Sequence, residues 1–196
     1  MVLAAADLTP VEPSFWRATC RDPTRARLRQ ILVENSLAGC TLLVNRALYA
    51  LARPIPPQAT MHDHWLGLVA AAFGRIEYLA RPTLLYRRHG ANSSPQPVWS
   101  PGFILSRAAA LITGSDRPAA SEKFAALTRQ AAAFLDRYDA KLTLRQRATI
   151  DALAQLRSKP TALRLWLIFR HGLTKSDWRR TLYMLNTIGR HCWQPK

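Results

Sequence analysis

The chain has 196 residues, enough for one ordinary domain with a core or a domain plus an appendage, and its formal net charge is +16 from 28 Lys and Arg against 12 Asp and Glu. Such an excess points to anionic partners: phosphates, acidic lipid surfaces or nucleic acid. Cys20, Cys40 and Cys192 show no CxxC spacing, which argues against a zinc site or disulfide framework, and no apolar run approaches the ~18 residues of a spanning helix.

Met1 to Asp7 predicts a short strand ending in an acidic residue, without the basic head of a signal peptide. Pro10, Pro13 and Phe15-Trp16 follow as an irregular segment with aromatic anchors. Asp22-Pro23 is a helix-start signal, with proline in the first turn, for a helix through Leu28 and Ile31-Leu32 that turns Arg25, Arg27 and Arg29 to solvent. Leu37 to Val44 is short, apolar and rich in small residues, which predicts a buried strand with a ligand or backbone close to Gly39. Asn45-Arg46 starts a helix that Arg53-Pro54-Ile55-Pro56-Pro57 stops, and the prolines enforce an extended loop placed to border an acceptor pocket.

The next run, Met61-His62-Asp63-His64-Trp65-Leu66-Gly67-Leu68-Val69-Ala70-Ala71-Ala72-Phe73-Gly74, opens with a carboxylate between two imidazoles and becomes an apolar helix. Asp63 at a helix N-terminus is a candidate base; the competing expectation is a carboxylate that only bonds backbone amides. Two histidines two residues apart at a helix start are poorly placed to share a metal ion. Gly74 ends the helix, Arg75 to Leu79 alternates like a short strand, and Thr83 to Tyr86 predicts another that delivers Arg87, Arg88 and His89 to its end.

Beyond Asn92 the composition shifts. Residues 93–101 read as a linker, and helical spacing follows over Phe103 to Ile112, Ala119 to Tyr138 and Leu144 to Leu156, the last with a Thr143/Gln146 capping box. Pro160 starts a final pair of helices that turn at Gly172 and restart after Thr174-x-x-Asp177. From Arg157 to Lys196 there are nine basic residues and one acidic. Basic helices carrying Trp and Leu on one face fit either an interfacial membrane element or a hairpin packed on the body with its charges in water.

The order of the Asn35 to Arg46 Gly-Cys segment, an Ile-Pro-Pro turn, His-Asp-x-Trp before Leu-Val-Ala-Ala-Ala-Phe-Gly, and Tyr-Arg-x-His-Gly-x-Asn resembles the C-terminal half of bacterial family 2 glycosyltransferases, especially rhamnosyltransferase-like members, over about residues 1 to 95. The resemblance implies an α/β fold: the acceptor and base half of a GT-A-type sheet with flanking helices over 1–95, then an all-helical basic extension over 96–196. Ala6-Asp7 stands where the family has a strand ending in Ser-Asp, and His64 where it commonly has tryptophan. It implies Asp63 as the catalytic base, substrate contacts from His62, Trp65, Gly39, Cys40, Arg87, Arg88 and Asn92, and His89 at the metal. The family's Mg2+ or Mn2+ is held by a D-x-D motif that this sequence lacks.

The implied partners are a nucleotide-sugar donor, a saccharide or lipid-linked acceptor of cell-surface polysaccharide assembly, and a second polypeptide supplying the donor half. The implied location is cytoplasmic, peripheral on the inner face of the cell membrane. Two other functions fit the composition: a non-catalytic basic module for anionic lipid or nucleic acid, though without a recognisable nucleic-acid motif, and an inactive paralogue that partners an active enzyme.

Overall fold

A computed structural model describes residues 1–89 and 117–191, together with 102, 103, 105, 106 and 109. The architecture is mixed α/β, mostly helical with one small sheet. Strand β1 (Val2–Ala4) lies between β2 (Pro10–Glu12), antiparallel, and β3 (Leu85–Arg87), parallel, with Leu3 opposite Tyr86 and Ala4 opposite Arg87. Both strands expected at the start of the chain and around Leu84-Tyr86 are therefore present, and they pair with each other. A short helix α1 (Phe15–Ala18), capped by Ser14, brings Phe15 and Trp16 onto the sheet, where they form a small apolar cluster with Met1 and Leu3.

The main core is helical. It is built from α2 (Leu28–Ile31), α4 (His62–Phe73), α5 (Arg117–Tyr138), α6 (Leu144–Ala154), α7 (Thr161–His171) and α8 (Trp178–His191), and its buried apolar residues run from Ile31 to Ile188. One core thus spans the 95/96 boundary that composition marks, and Ile168, Leu173, Met184 and Ile188 of the C-terminal hairpin lie inside it. The whole linker read over 93–101, and most of the Phe103 to Ile112 helix, fall outside the described residues.

Several helix ends are capped by side chains or by a glycine turn. Helix α3 (Arg46–Ala52) starts at Asn45, whose side chain accepts from Leu48 N–H at 2.8 Å, and its last carbonyls take donors from α5: Tyr138 Oη donates to Leu51 O at 2.9 Å, and Arg137 donates to Arg53 O and Pro54 O. The Thr143/Gln146 capping box forms, and the Gln146 amide also donates to Ala72 O at 2.7 Å, tying the end of α4 to the start of α6. Gly172, left-handed at φ 61°, ends α7, and Leu173 N–H returns to Ile168 O at 2.9 Å while its side chain is buried. Asp177 Oδ1 then accepts from Arg179 N–H at 2.8 Å and opens α8.

Two expected strands are absent, and the helix expected from Asp22-Pro23 is present only over Leu28–Ile31. Leu37 to Val44 is not a strand but a single 3-10 turn at Gly39–Thr41 with Leu43 fully exposed, because Asn35 Oδ1 takes Leu37 N–H (3.1 Å) and Asp63 takes Gly39 N–H. Asp22-Pro23 does not begin a helix, because Asp22 Oδ1 takes Thr24 N–H at 3.0 Å and its hydroxyl at 2.6 Å. Side-chain oxygens have captured the backbone donors that a ladder or helix would need. Arg75 to Leu79 likewise forms no ladder; Arg75 pairs with Glu77 at 2.6 Å in solvent.

Candidate functional site

A cleft of about 430 Å³ opens between the sheet and the helical core. Its walls are Met1 and Tyr86 from β1 and β3, Phe15 from α1, the Val33 to Cys40 segment, the Thr60 to His64 start of α4, Lys123 and Leu127 from α5, and Lys175 and Arg180 from the hairpin.

Asp63 sits in this wall, 5 % exposed. Its Oδ1 accepts from Asn35 Nδ2 at 2.9 Å and from His64 N–H at 2.7 Å, and its Oδ2 accepts from Gly39 N–H at 2.9 Å. Two of the three donors are backbone amides, so the competing expectation of a structural carboxylate is met in part. Oδ2, with a single such donor, keeps a lone pair that can accept a proton. The same contacts pin the Asn35 to Gly39 loop to α4. At Gly39 a Cβ would stand 2.6 Å from His62 Nε2, so the close approach expected there is that of the imidazole.

The two histidines separate. His62 is exposed and lines the cleft, whereas His64 is buried and committed on both nitrogens. Its Nε2 lies 2.5 Å from Ile31 O, which can only accept, so that nitrogen carries the proton. Its Nδ1 is then an acceptor for Thr60 Oγ1 at 2.8 Å or Gln130 Nε2 at 3.3 Å. Burial pushes the His64 imidazole below its ordinary range, against the upward pull of the Ile31 carbonyl and Asp63. His64 is a neutral brace linking α2, α4 and α5, with both ring nitrogens engaged by protein groups.

Other expected site residues divide as follows. Gly39 and Cys40 line the cleft. Trp65 does not: it is fully buried against Phe134 and Tyr138, with its indole N–H on Ala52 O at 3.1 Å, because helical spacing turns it to the core while Asp63 faces the cleft. Arg87, the last paired residue of β3, and Arg88 and His89 after it are exposed; Tyr86 reaches the cleft and these three do not. Alternation along the strand accounts for Tyr86 and Arg87 facing opposite ways. Asn92 lies outside the described residues.

The cations that do line the cleft are Arg21, Lys123, Lys175 and Arg180. Arg180 is paired with Glu34 at 2.7 Å, their side chains 10 % and 2 % exposed, and also donates to Thr19 O. Glu34 Oε2 accepts from Ser176 N–H at 2.9 Å and from its hydroxyl. Burial pushes the Glu34 carboxyl up, but Arg180, Ser176 and Lys175 together hold it below the usual carboxylate range. Burial and then repulsion from Arg180 push Arg21 down to about 10, and burial with repulsion from Arg180 and Lys123 pushes Lys175 down to about 7. The one sequence signal for this network is Glu34 itself, an acid ending the apolar run Ile31-Leu32-Val33 that needs a cation if buried; nothing local names Arg180 as that cation.

Both carboxylates of the cleft are engaged and four cations surround them, so these residues do not fit Mg2+ or Mn2+. Among the described residues no group of three or more His, Cys, Asp or Glu is placed to hold a metal. No family model matches this chain, and no match was found among curated proteins or solved structures.

Proposed function

We propose that this chain supplies the acceptor and base side of an inverting, family 2-like, GT-A-type glycosyltransferase acting on a saccharide or lipid-linked acceptor. The observation that carries this reading is a fixed carboxylate, Asp63, in the wall of a cleft where four cations outnumber it and Glu34. In the reaction the acceptor hydroxyl oxygen bonds to the anomeric carbon, the bond from that carbon to the diphosphate breaks, and Asp63 Oδ2 takes the hydroxyl proton. The leaving diphosphate gains negative charge, which the facing cations stabilise where water is partly excluded. The donor's nucleotide and any metal are assigned to a donor half carrying the D-x-D carboxylates.

Location at a membrane surface is supported by the outer face of the hairpin. While Ile168 and Ile188 point inward, Trp166 (57 % exposed), Phe169 (65 %), Trp178 (66 %) and Leu182 (55 %) face out beside Arg170 and Arg179. No helix among the described residues is long and apolar enough to cross a membrane. The same face would serve the alternative of a non-catalytic anionic-lipid module.

Mixing the purified chain with a family 2 donor half, nucleotide sugars and a lipid-linked acceptor tests the activity. Glycosylated acceptor forming only when both polypeptides are present is expected. Absence of product with every donor tried, while the cleft remains intact, would leave the lipid-module reading in its place.

A further inference from the structure

We propose that Arg21, Lys123, Lys175 and Arg180 form a binding subsite for a diphosphate group, closed by the turn that joins the last two helices. The cleft brings four cations together against two carboxylates. Glu34 pairs with Arg180 and also attracts Lys175 and Arg21, and Asp63 attracts Arg21, yet four cations against two carboxylates leave two positive charges in excess when all six groups are ionised. Like charges gathered in a partly desolvated cleft cost stability unless an anion joins them.

The cluster is also built into the fold. The turn carrying Lys175 is fixed on both sides, by Ser176 to Glu34, by Asp22 N–H to Ser176 Oγ at 3.1 Å, by Arg25 to Ser176 O at 3.0 Å, and by Lys175 N–H to Thr181 Oγ1 at 3.1 Å. These bonds hold the Lys175 backbone at the point from which its side chain lines the cleft. Its low proton affinity follows first from burial and then from repulsion by Arg180 and Lys123, and an anion of charge two or more would restore the ammonium form. Arg21, Glu34, Lys123 and Arg180 face Lys175, and Asp63, His62, His64, Cys40, Tyr86 and Met1 with its amino terminus are the other titratable groups around the cleft. The apolar wall of Phe15, Tyr86 and Leu127 gives room for whatever the diphosphate is attached to.

Anion capture requires neither Asp63 as a base nor any transfer, so the subsite can exist without the proposed activity. Calorimetric titration of the intact chain with inorganic pyrophosphate at pH 7 tests it. Saturable one-to-one binding is expected, weakened about tenfold by Lys175→Met or Lys123→Met, as loss of a charge-assisted contact implies, and unchanged by Arg145→Gln, an exposed cation outside the cleft. In paired buffers of different ionisation enthalpy the wild type should take up more protons on binding than Lys175→Met, a comparison in which the ligand's own ionisation cancels. Tighter binding of a nucleoside diphosphate than of pyrophosphate would support the site from the donor side, and tighter binding of a short isoprenyl diphosphate from the acceptor side. No saturable binding, or equal affinity in the wild type and both lysine variants, overturns the proposal. Pyrophosphate binding without any transfer would remove the transferase reading alone.

Discussion

At the scale of single residues, charge placement sets how stability depends on pH. Glu34 titrates below its ordinary value in the fold, so the stability it contributes is present above about pH 4.5 and is lost as pH falls through its lower folded value. Glu34→Gln should remove that acid sensitivity and, by leaving Arg180 buried without its carboxylate, cost about 3–5 kcal/mol, read from urea unfolding at pH 7. Lys175 works in the opposite sense. The unfolded chain keeps this proton to about 10.5 while the fold releases it near 7, so the unfolded state binds more protons between those values and stability rises with pH across that window. Lys175→Met should flatten the rise; an unchanged slope would show that Lys175 is not the group responsible. Leu8, half exposed at φ 69° in the turn between β1 and β2, carries left-handed strain that asparagine tolerates, and Leu8→Asn should raise the unfolding free energy by about 0.5–1 kcal/mol.

At the scale of elements, long amphipathic helices and their caps are legible in the sequence. Helix α4, α5 with its partner α6, the Thr143/Gln146 box and the Gly172 turn all follow from apolar spacing and cap chemistry that act within a few residues. What was not legible depended on side chains competing for backbone donors. Asn35 and Asp63 unmake the expected Leu37 to Val44 strand, and Asp63 stands 24 residues from the Gly39 amide it binds. The resemblance implies Trp65 as a substrate contact, yet residues two apart on a helix point about 200° apart, and Asp63 faces the cleft while Trp65 fills the core. The cationic wall was hidden for a similar reason: Arg21 and Arg180 lie far apart in the chain and meet only through Glu34 and the docked hairpin. Arg164 shows how firmly that hairpin is held. It is fully buried, and its guanidinium donates to Lys159 O, Arg157 O and, at 3.2 Å, to Ile188 O of α8.

At the scale of the whole molecule, the two expectations for the basic C-terminal helices are compatible. The hairpin packs on the body through Ile168, Leu173, Met184 and Ile188, and in doing so presents Trp166, Phe169, Trp178 and Leu182 outward. Partition into vesicles containing anionic lipid should weaken about tenfold in a Trp166→Ser/Phe169→Ser variant and fall with added salt, whereas neutral vesicles should bind poorly. Binding that is insensitive to both changes would place any membrane contact elsewhere. The charge excess is thus proposed to serve in two separate places, the outer face and the cleft.

The sugar-transfer account rests on Asp63 acting on substrate and not merely as the pin of a loop. Those roles separate in a reconstituted transfer assay with Asp63→Asn, normalised to folded protein because losing one acceptor for Gly39 N–H should itself cost about 1–3 kcal/mol. The account predicts that transfer per folded molecule drops by about 10²–10⁴ while pyrophosphate still binds. Transfer per folded molecule equal to that of the wild type would contradict it, and would leave Asp63 as a structural carboxylate.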